Sequence, residues 1–229
     1  QGYSSAASDV YKRQVRNSRV RREFVPLAVV SYRMPVSQST SLAADFSAEY
    51  GTRKYSALGW YDARTPMPDN YRYLPGYTGD RETEQAWRAG DARYTQIDWD
   101  ELIAQNRMAA GHAVYALEDR AERLGDLNFS ALFTTALDAR LTLRYDLVLR
   151  HARSRNYKQM RDLLGAEYIT DIDQYLVDDD TYSNLLQNDL RRPDRTIRKG
   201  GRFGYDYALT TRRADARLHA EYRSDLSLI

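Results

Sequence analysis

The chain has 229 residues, 34 of them Lys or Arg and 32 Asp or Glu, and its formal charge of +2 is too balanced for a protein whose main partner is nucleic acid. An apolar content of 42% excludes a disordered or collagen-like chain, and no run of about 18 apolar residues exists to form a membrane-spanning helix, although β-barrel strands stay allowed. With no cysteine, disulfides, thiolate metal sites, iron–sulfur clusters and cysteine nucleophiles are excluded as well.

The chain opens on Gln1–Gln14, QGYSSAASDVYKRQ, which has no apolar stretch of the kind a secretory signal needs. Ser4–Gln14 matches, residue for residue, the translation of the common transposase library-preparation adaptor used in sequencing. Residues 1–14 are therefore expected to be translated adaptor and residues 15–229 the protein proper, so that the chain is a fragment.

From there the dominant signal is period-two alternation, the mark of a strand with one apolar and one polar face. A first strand is expected over Arg19–Tyr32, interrupted by Pro26, which sheets tolerate at edges and bulges. A short link at Met34–Thr40 leads to a second, in which Leu42, Ala44, Phe46, Ala48 and Tyr50 oppose Ser41, Asp45, Ser47 and Glu49. A long stretch, about Asp62–Asp126, follows. Within it Asp98 precedes Trp99, Leu102 and Ile103 as a helix N-cap, with Glu101 at the capping-box position. Ala113–Asp119 reads as part of this loop or as an extension of the next strand.

That strand is Phe129–Leu137. A tight turn at Asp138 connects it to the clearest strand, in which Ala139, Leu141, Leu143, Tyr145, Leu147 and Leu149 alternate with the nearly all polar Arg140, Thr142, Arg144, Asp146, Val148 and Arg150. A second long stretch, about Arg153–Gly201, should carry short helices at Gln159–Leu164, stopped by Gly165, and at Tyr182–Leu190. The chain ends on Phe203, Tyr205, Tyr207 and Leu209, a turn over Thr210–Arg213, and Ala214, Ala216, Leu218, Ala220 and Tyr222. Short turns on one side and long loops on the other are the plan of an outer-membrane barrel. The expected fold is all-β: an antiparallel, up-and-down transmembrane β-barrel fragment of about six strands with two long, structured outer loops. Leu141, Leu143, Leu147, Leu218 and Phe46 should share its lipid side and Arg144 and Arg217 the other.

Several strings in the loops resemble TonB-dependent outer-membrane receptors, in particular the branch with an N-terminal carboxypeptidase-like regulatory domain. They are Trp60-Tyr61-Asp62-Ala63-Arg64-Thr65-Pro66, Pro68–Tyr77, Ile97–Leu102 with Asn106, Asp162–Ala166 through Asp171-Ile172-Asp173, and Leu186–Leu190 with Phe203–Tyr207. The ordered set covers most of Arg16–Ile229. The chain departs from such receptors in having no plug domain, no TonB box and no terminal aromatic strand. The resemblance implies a fragment of a receptor in the bacterial outer membrane that takes up a scarce, large solute and performs no covalent chemistry. Its partners would be outer-membrane lipid and the solute, and, through missing parts of the chain, the plug and the TonB complex; no cofactor and no nucleic acid are implied. A soluble all-β domain that binds or processes glycans, with its apolar strand faces closed in a sandwich, is the alternative from a different class.

The candidate ligand contacts are loop aromatics, Trp60, Tyr61, Tyr71, Tyr73, Tyr77 and Trp99, with Trp87 in the same cluster. Their rings suit stacking on a ligand, and equally suit the packed core that a loop of roughly 60 residues needs to fold. Asp171, Asp173, Asp178, Asp179 and Asp180 supply oxygens but lack the glycine and distal glutamate of a calcium loop, so they read as a solvated acidic segment. His112, His151 and His219 are not at ligand spacing, and Gly200–Gly204 lacks the lysine and hydroxyl of a phosphate loop. No catalytic or metal-binding residue is expected.

Overall fold

A computed structural model of the chain describes residues 16–61, 63–173 and 186–224. Its strands are β1 (Arg21–Phe24), β2 (Leu27–Pro35), β3 (Thr40–Trp60), β4 (Tyr115–Ala136), β5 (Leu141–Asp162), β6 (Ile169–Thr170), β7 (Thr196–Ile197) and β8 (Arg202–Tyr222). Helices α1 (Pro75–Thr78), α2 (Arg81–Ala89), α3 (Ala92–Thr95) and α4 (Trp99–Met108) lie between β3 and β4. The principal sheet is antiparallel and six-stranded, with β1 and β2 both on β3, then β4, β5 and β8 in chain order. It has two free edges and does not close on itself.

The expected strand number is met, but its make-up differs. Val25 and Pro26 split the first strand into β1 and β2, as the proline foretells. The expected turn at Thr210–Arg213 does not exist: β8 runs unbroken for 21 residues. Thr210–Arg213 has no Gly, Pro or Asn to reverse the chain. The apolar positions change there from odd to even, and the strand carries that change without turning back. Strands β3, β4 and β5, at 21, 22 and 22 residues, extend far beyond their apolar cores. The long loops are correspondingly shorter than expected, 61–114 and 163–201. Ala113–Asp119 resolves as an extension: from Tyr115 onward it is the start of β4.

The chain divides into two compact units. One takes, among the described residues, Glu23–Arg53, Glu122–Asn156 and 207–224, and consists of strand segments and their tight turns. At Asp138 the carboxylate accepts from the backbone N–H of Arg140 (2.7 Å) and Leu141 (2.8 Å), which closes the expected turn. At the other turn, Val36 N–H donates to the Thr40 carbonyl at 2.8 Å. Paired residues of antiparallel strands share a face. The register Ala28↔Ala48, Val30↔Phe46, Tyr32↔Ala44 and Met34↔Leu42 therefore forms an apolar face, and Ser31↔Asp45 with Arg33↔Ala43 forms the opposite one.

Side-chain contacts carry both faces across the sheet. On the apolar side Thr40 meets the Thr135 hydroxyl at 3.2 Å, Tyr145 Oη lies 2.9 Å from Thr135, and the Phe133 and Tyr145 rings are 6.1 Å apart. On the polar side Arg53 bridges Glu23 (2.6 Å) and Glu122 (3.3 Å), and Ser154 donates to Glu122. Arg150 pairs with Asp126, Arg144 with Glu221 (3.3 Å), and Arg217 approaches Asp146 (4.0 Å). Among the described residues of this unit nothing covers the apolar side: Val30, Phe46, Leu147 and Leu218 are 64, 43, 39 and 72% exposed.

The other unit takes 16–22, Lys54–Ala121 and Tyr157–Asp206, and holds the helices and two buried clusters. One gathers Tyr61, Ala113, Ala116, Met160, Leu163, Ile169, Ile197 and Phe203. The second gathers Leu58, Leu102, Tyr115, Leu117 and Leu164, with Trp60, Ile97, Trp99 and Ile103 packed on it. The expected helix at Gln159–Leu164 is not formed. Met160 is fully buried and exchanges backbone hydrogen bonds with Gly200 and Gly201 (both 2.8 Å), which holds it in β5 and overrides a helical local preference. Leu164 and Gly165 then turn the chain with positive φ (49° and 90°). Of the expected Tyr182–Leu190 helix, 182–185 lie outside the described residues and 186–190 are not helical.

Candidate functional site

The helical loop is assembled from local signals. Asp80 caps α2 by accepting from the Thr83 hydroxyl (2.7 Å) and from Thr83 and Glu82 N–H (3.0 and 3.3 Å), and these bonds, the hydroxyl first, hold its carboxyl below the ordinary range. Gly90 ends that helix in the left-handed region. Asp98 caps α4 by accepting from Glu101 N–H at 3.0 Å, as expected, while the Glu101 carboxylate turns away to accept from Gln105 Nε2 at 2.7 Å. Half of the capping box is therefore made.

Asn106, fully buried on α4, ties the helix to the rest of the unit. Its Nδ2 donates to the carbonyls of Tyr115 (2.7 Å), Leu163 (2.8 Å) and Leu164 (3.2 Å), and its Oδ1 accepts from Val114 and Tyr115 N–H, both at 2.9 Å. One amide thus satisfies five backbone groups that burial would otherwise leave unpaired.

Beside α4 lies a groove of about 850 Å³, walled by Arg64, Tyr73, Arg93, Tyr94, Glu101 and Gln105 among others. Its polar groups are held in place. Arg64 stacks 4.0 Å from the Tyr73 ring centroid and donates to Tyr73 Oη at 2.6 Å, and that hydroxyl donates to the Thr65 carbonyl at 2.9 Å. Arg93 is paired with Asp91 at 2.7 Å, and holds that carboxyl below its usual range. Ring faces beside guanidinium and amide donors suit recognition of a polar, partly apolar molecule. The two carboxylates of the wall, Asp98 and Glu101, already accept from Glu101 N–H and Gln105.

The six aromatic candidates lie in different places in the fold. Only Tyr73 lines the groove. Tyr61 is 8% exposed inside a core cluster, with its N–H bonded to the Val114 carbonyl at 2.8 Å. Trp60 and Trp99 pack on the other cluster, and Arg16 lies 4.8 Å over the Trp99 ring. Tyr71 and Tyr77 are exposed and stand edge-to-face at 5.2 Å. Arg64, Tyr94 and the Glu101–Gln105 pair also line the groove and are not among the candidates the sequence offers. The i,i+4 spacing of Glu101 and Gln105 on α4 is the available signal.

The acidic segment is also not as expected. Asp171 is buried rather than solvated. It pairs with Arg195 and accepts from Asn188 Nδ2 at 3.0 Å and Gly204 N–H at 2.8 Å. Asp178, Asp179 and Asp180 lie outside the described residues. His112 is partly buried, with Nε2 3.2 Å from the Thr170 hydroxyl and its ring edge-on to Tyr168, and burial pushes its pKa down. Among the described residues no cluster of three metal-ligating side chains exists.

Comparisons with known proteins add no identity: no family model, no curated protein and no solved structure matches the chain.

Proposed function

We propose that the chain is a segment of the wall of a TonB-dependent outer-membrane receptor, with the helical loop and its groove forming part of the solute-recognition surface. The receptor takes up a scarce, large solute across the outer membrane and does no covalent chemistry. Its barrel closes with strands contributed by the rest of the polypeptide, which also supplies the plug and the contact to the TonB complex. The observation that carries this reading is the sheet of the strand-only unit: a single layer, apolar and uncovered on one side and ion-paired on the other. Hydrocarbon is the natural cover for such a side, and a wet lumen the natural environment for the other. The order of the loop strings adds to it. A soluble glycan-binding domain would need a second layer over the apolar side.

The test is expression of residues Val15–Ile229 with and without detergent. Exposed apolar surface beyond the few hundred Å² of ordinary soluble monomers, together with free sheet edges, leads to aggregation without detergent. With detergent and lipid the chain floats with vesicles. A soluble, monomeric and cooperatively melting product in plain buffer would reject the receptor reading in favour of the soluble domain.

A further inference from the structure

We infer that the apolar face of the strand-only unit carries a site for an anionic membrane lipid, its headgroup held by Arg153, Arg212 and His151. This rests on the membrane reading above and names which lipid the wall selects. Two adjoining grooves, about 460 and 300 Å³, share Leu127 and His151. Their apolar walls are Ala48, Tyr50, Phe46, Phe129 and Leu149 with that leucine. Arg153 stands at one groove and Arg212 at the other, with His151 at both; Arg150 and Arg213 also border the second groove, each already paired with a carboxylate.

Alternation places Arg153 and His151 on the same side of β5 as Leu147 and Leu149, and Arg212 on the same side of β8 as Ala214 and Leu218. The arginines of the polar side differ from Arg153 and Arg212. On the polar side Arg33, Arg53, Arg144, Arg150 and Arg213 each have a carboxylate within ion-pair distance. Arg153 and Arg212 have no side-chain partner among the described residues, and neither has His151. The acidic residues bordering the first groove, Glu49 and Asp126, are already engaged by Arg53 and Arg150.

A cationic rim over an apolar groove calls for a molecule with an acyl chain and a negative head. A second copy of the same face does not meet that demand. The apolar-side positions of β2, β3, β4, β5 and β8 in this unit include no Asp or Glu, so a face-to-face dimer would set like charges against each other. Arginine also gives a phosphate oxygen pair the forked donors it accepts best.

The experiment uses the 229-residue chain with vesicles of pure phosphatidylcholine and vesicles containing phosphatidylglycerol, with bound fraction read by flotation. The wild-type chain should partition into the anionic vesicles at least tenfold more strongly, and the difference should shrink with added salt. Each of Arg153→Gln and Arg212→Gln should reduce the preference about fivefold, the weight of one basic side chain at an anionic surface. Both variants should still enter phosphatidylcholine vesicles like wild type. Arg217→Gln, on the opposite face, should leave the preference unchanged. Equal partitioning of wild type into both vesicles, or an unchanged preference in the Arg153→Gln/Arg212→Gln double variant, overturns the lipid site while leaving the membrane reading intact. A chain that enters neither vesicle, or whose apolar face is protected by dimerisation in buffer, overturns both.

Discussion

Strand β4 passes from one unit into the other, and its two parts have opposite fates. Between Tyr115 and Ala121 every residue but Arg120 is buried, including the consecutive Glu118 and Asp119, each with cationic partners. Between Leu127 and Ala136 the same alternation continues, yet Leu127, Phe129, Leu132 and Phe133 are all exposed. Alternation therefore states only that a strand has two different faces. What meets each face is decided elsewhere: by α4 and residues 163–173 and 186–201 in one unit, and by nothing within the described chain in the other.

The contrast between the two units breaks most readily at Asn106. Replacing it with Ala strips partners from five backbone groups and should destabilise the helix-bearing unit by about 4 kcal/mol, allowing for partial rescue by water. Hydrogen exchange should show Val114 and Tyr115 losing protection while the strand-only unit keeps its own. Equal loss in both would mean that they unfold as one. Asp171→Ala leaves the half-buried Arg195 with only the more distant Asp189 carboxylate (4.0 Å) and should cost about 3 kcal/mol, again confined to the helix-bearing unit, as read by denaturant unfolding in detergent.

On the uncovered side, Leu147→Arg should cost about 2 kcal/mol in a lipid bilayer. The opposite kind of change on the polar side, Arg144→Leu, should cost less. If both cost the same, the two faces do not meet different surroundings. Asp98→Ala removes the α4 cap and should cost about 1 kcal/mol. The smallest effect is that of pH on His112. Its folded pKa lies below the unfolded value, so the unfolded chain binds the proton more readily. Stability contributed by the neutral ring is complete above about pH 6.5 and declines as pH falls through that value towards the folded pKa. Proton-detected titration of the His112 ring checks the direction, and His112→Gln should flatten that part of the profile.

Much of the strand-only unit is legible in the sequence. The Leu141–Leu149 alternation, the Asp138 turn and the break at Pro26 are local signals: a two-residue period, a carboxylate that caps its own turn, a ring with no N–H. The aromatic site is not legible in this way. Trp60, Tyr61 and Tyr73 lie close together in the chain and look alike, but Tyr61 is enclosed by Ala113, Met160 and Phe203, and only Tyr73 reaches the groove. Burial is set by residues far along the chain, so a run of aromatics cannot by itself divide core from binding surface.

By itself, then, the sequence determined the cores of the long strands and which of their sides are apolar, because side-chain alternation is a property of the extended backbone. It also determined where α4 begins, because a cap is satisfied within three residues. Only the tertiary structure decided that Gln159–Asp162 is strand rather than helix, since Met160 is bonded to Gly200 and Gly201 some 40 residues on. It alone decided that Asp171 is buried and that Asn106 holds a helix in place. Each depends on partners distant in the chain, whose position no local pattern encodes.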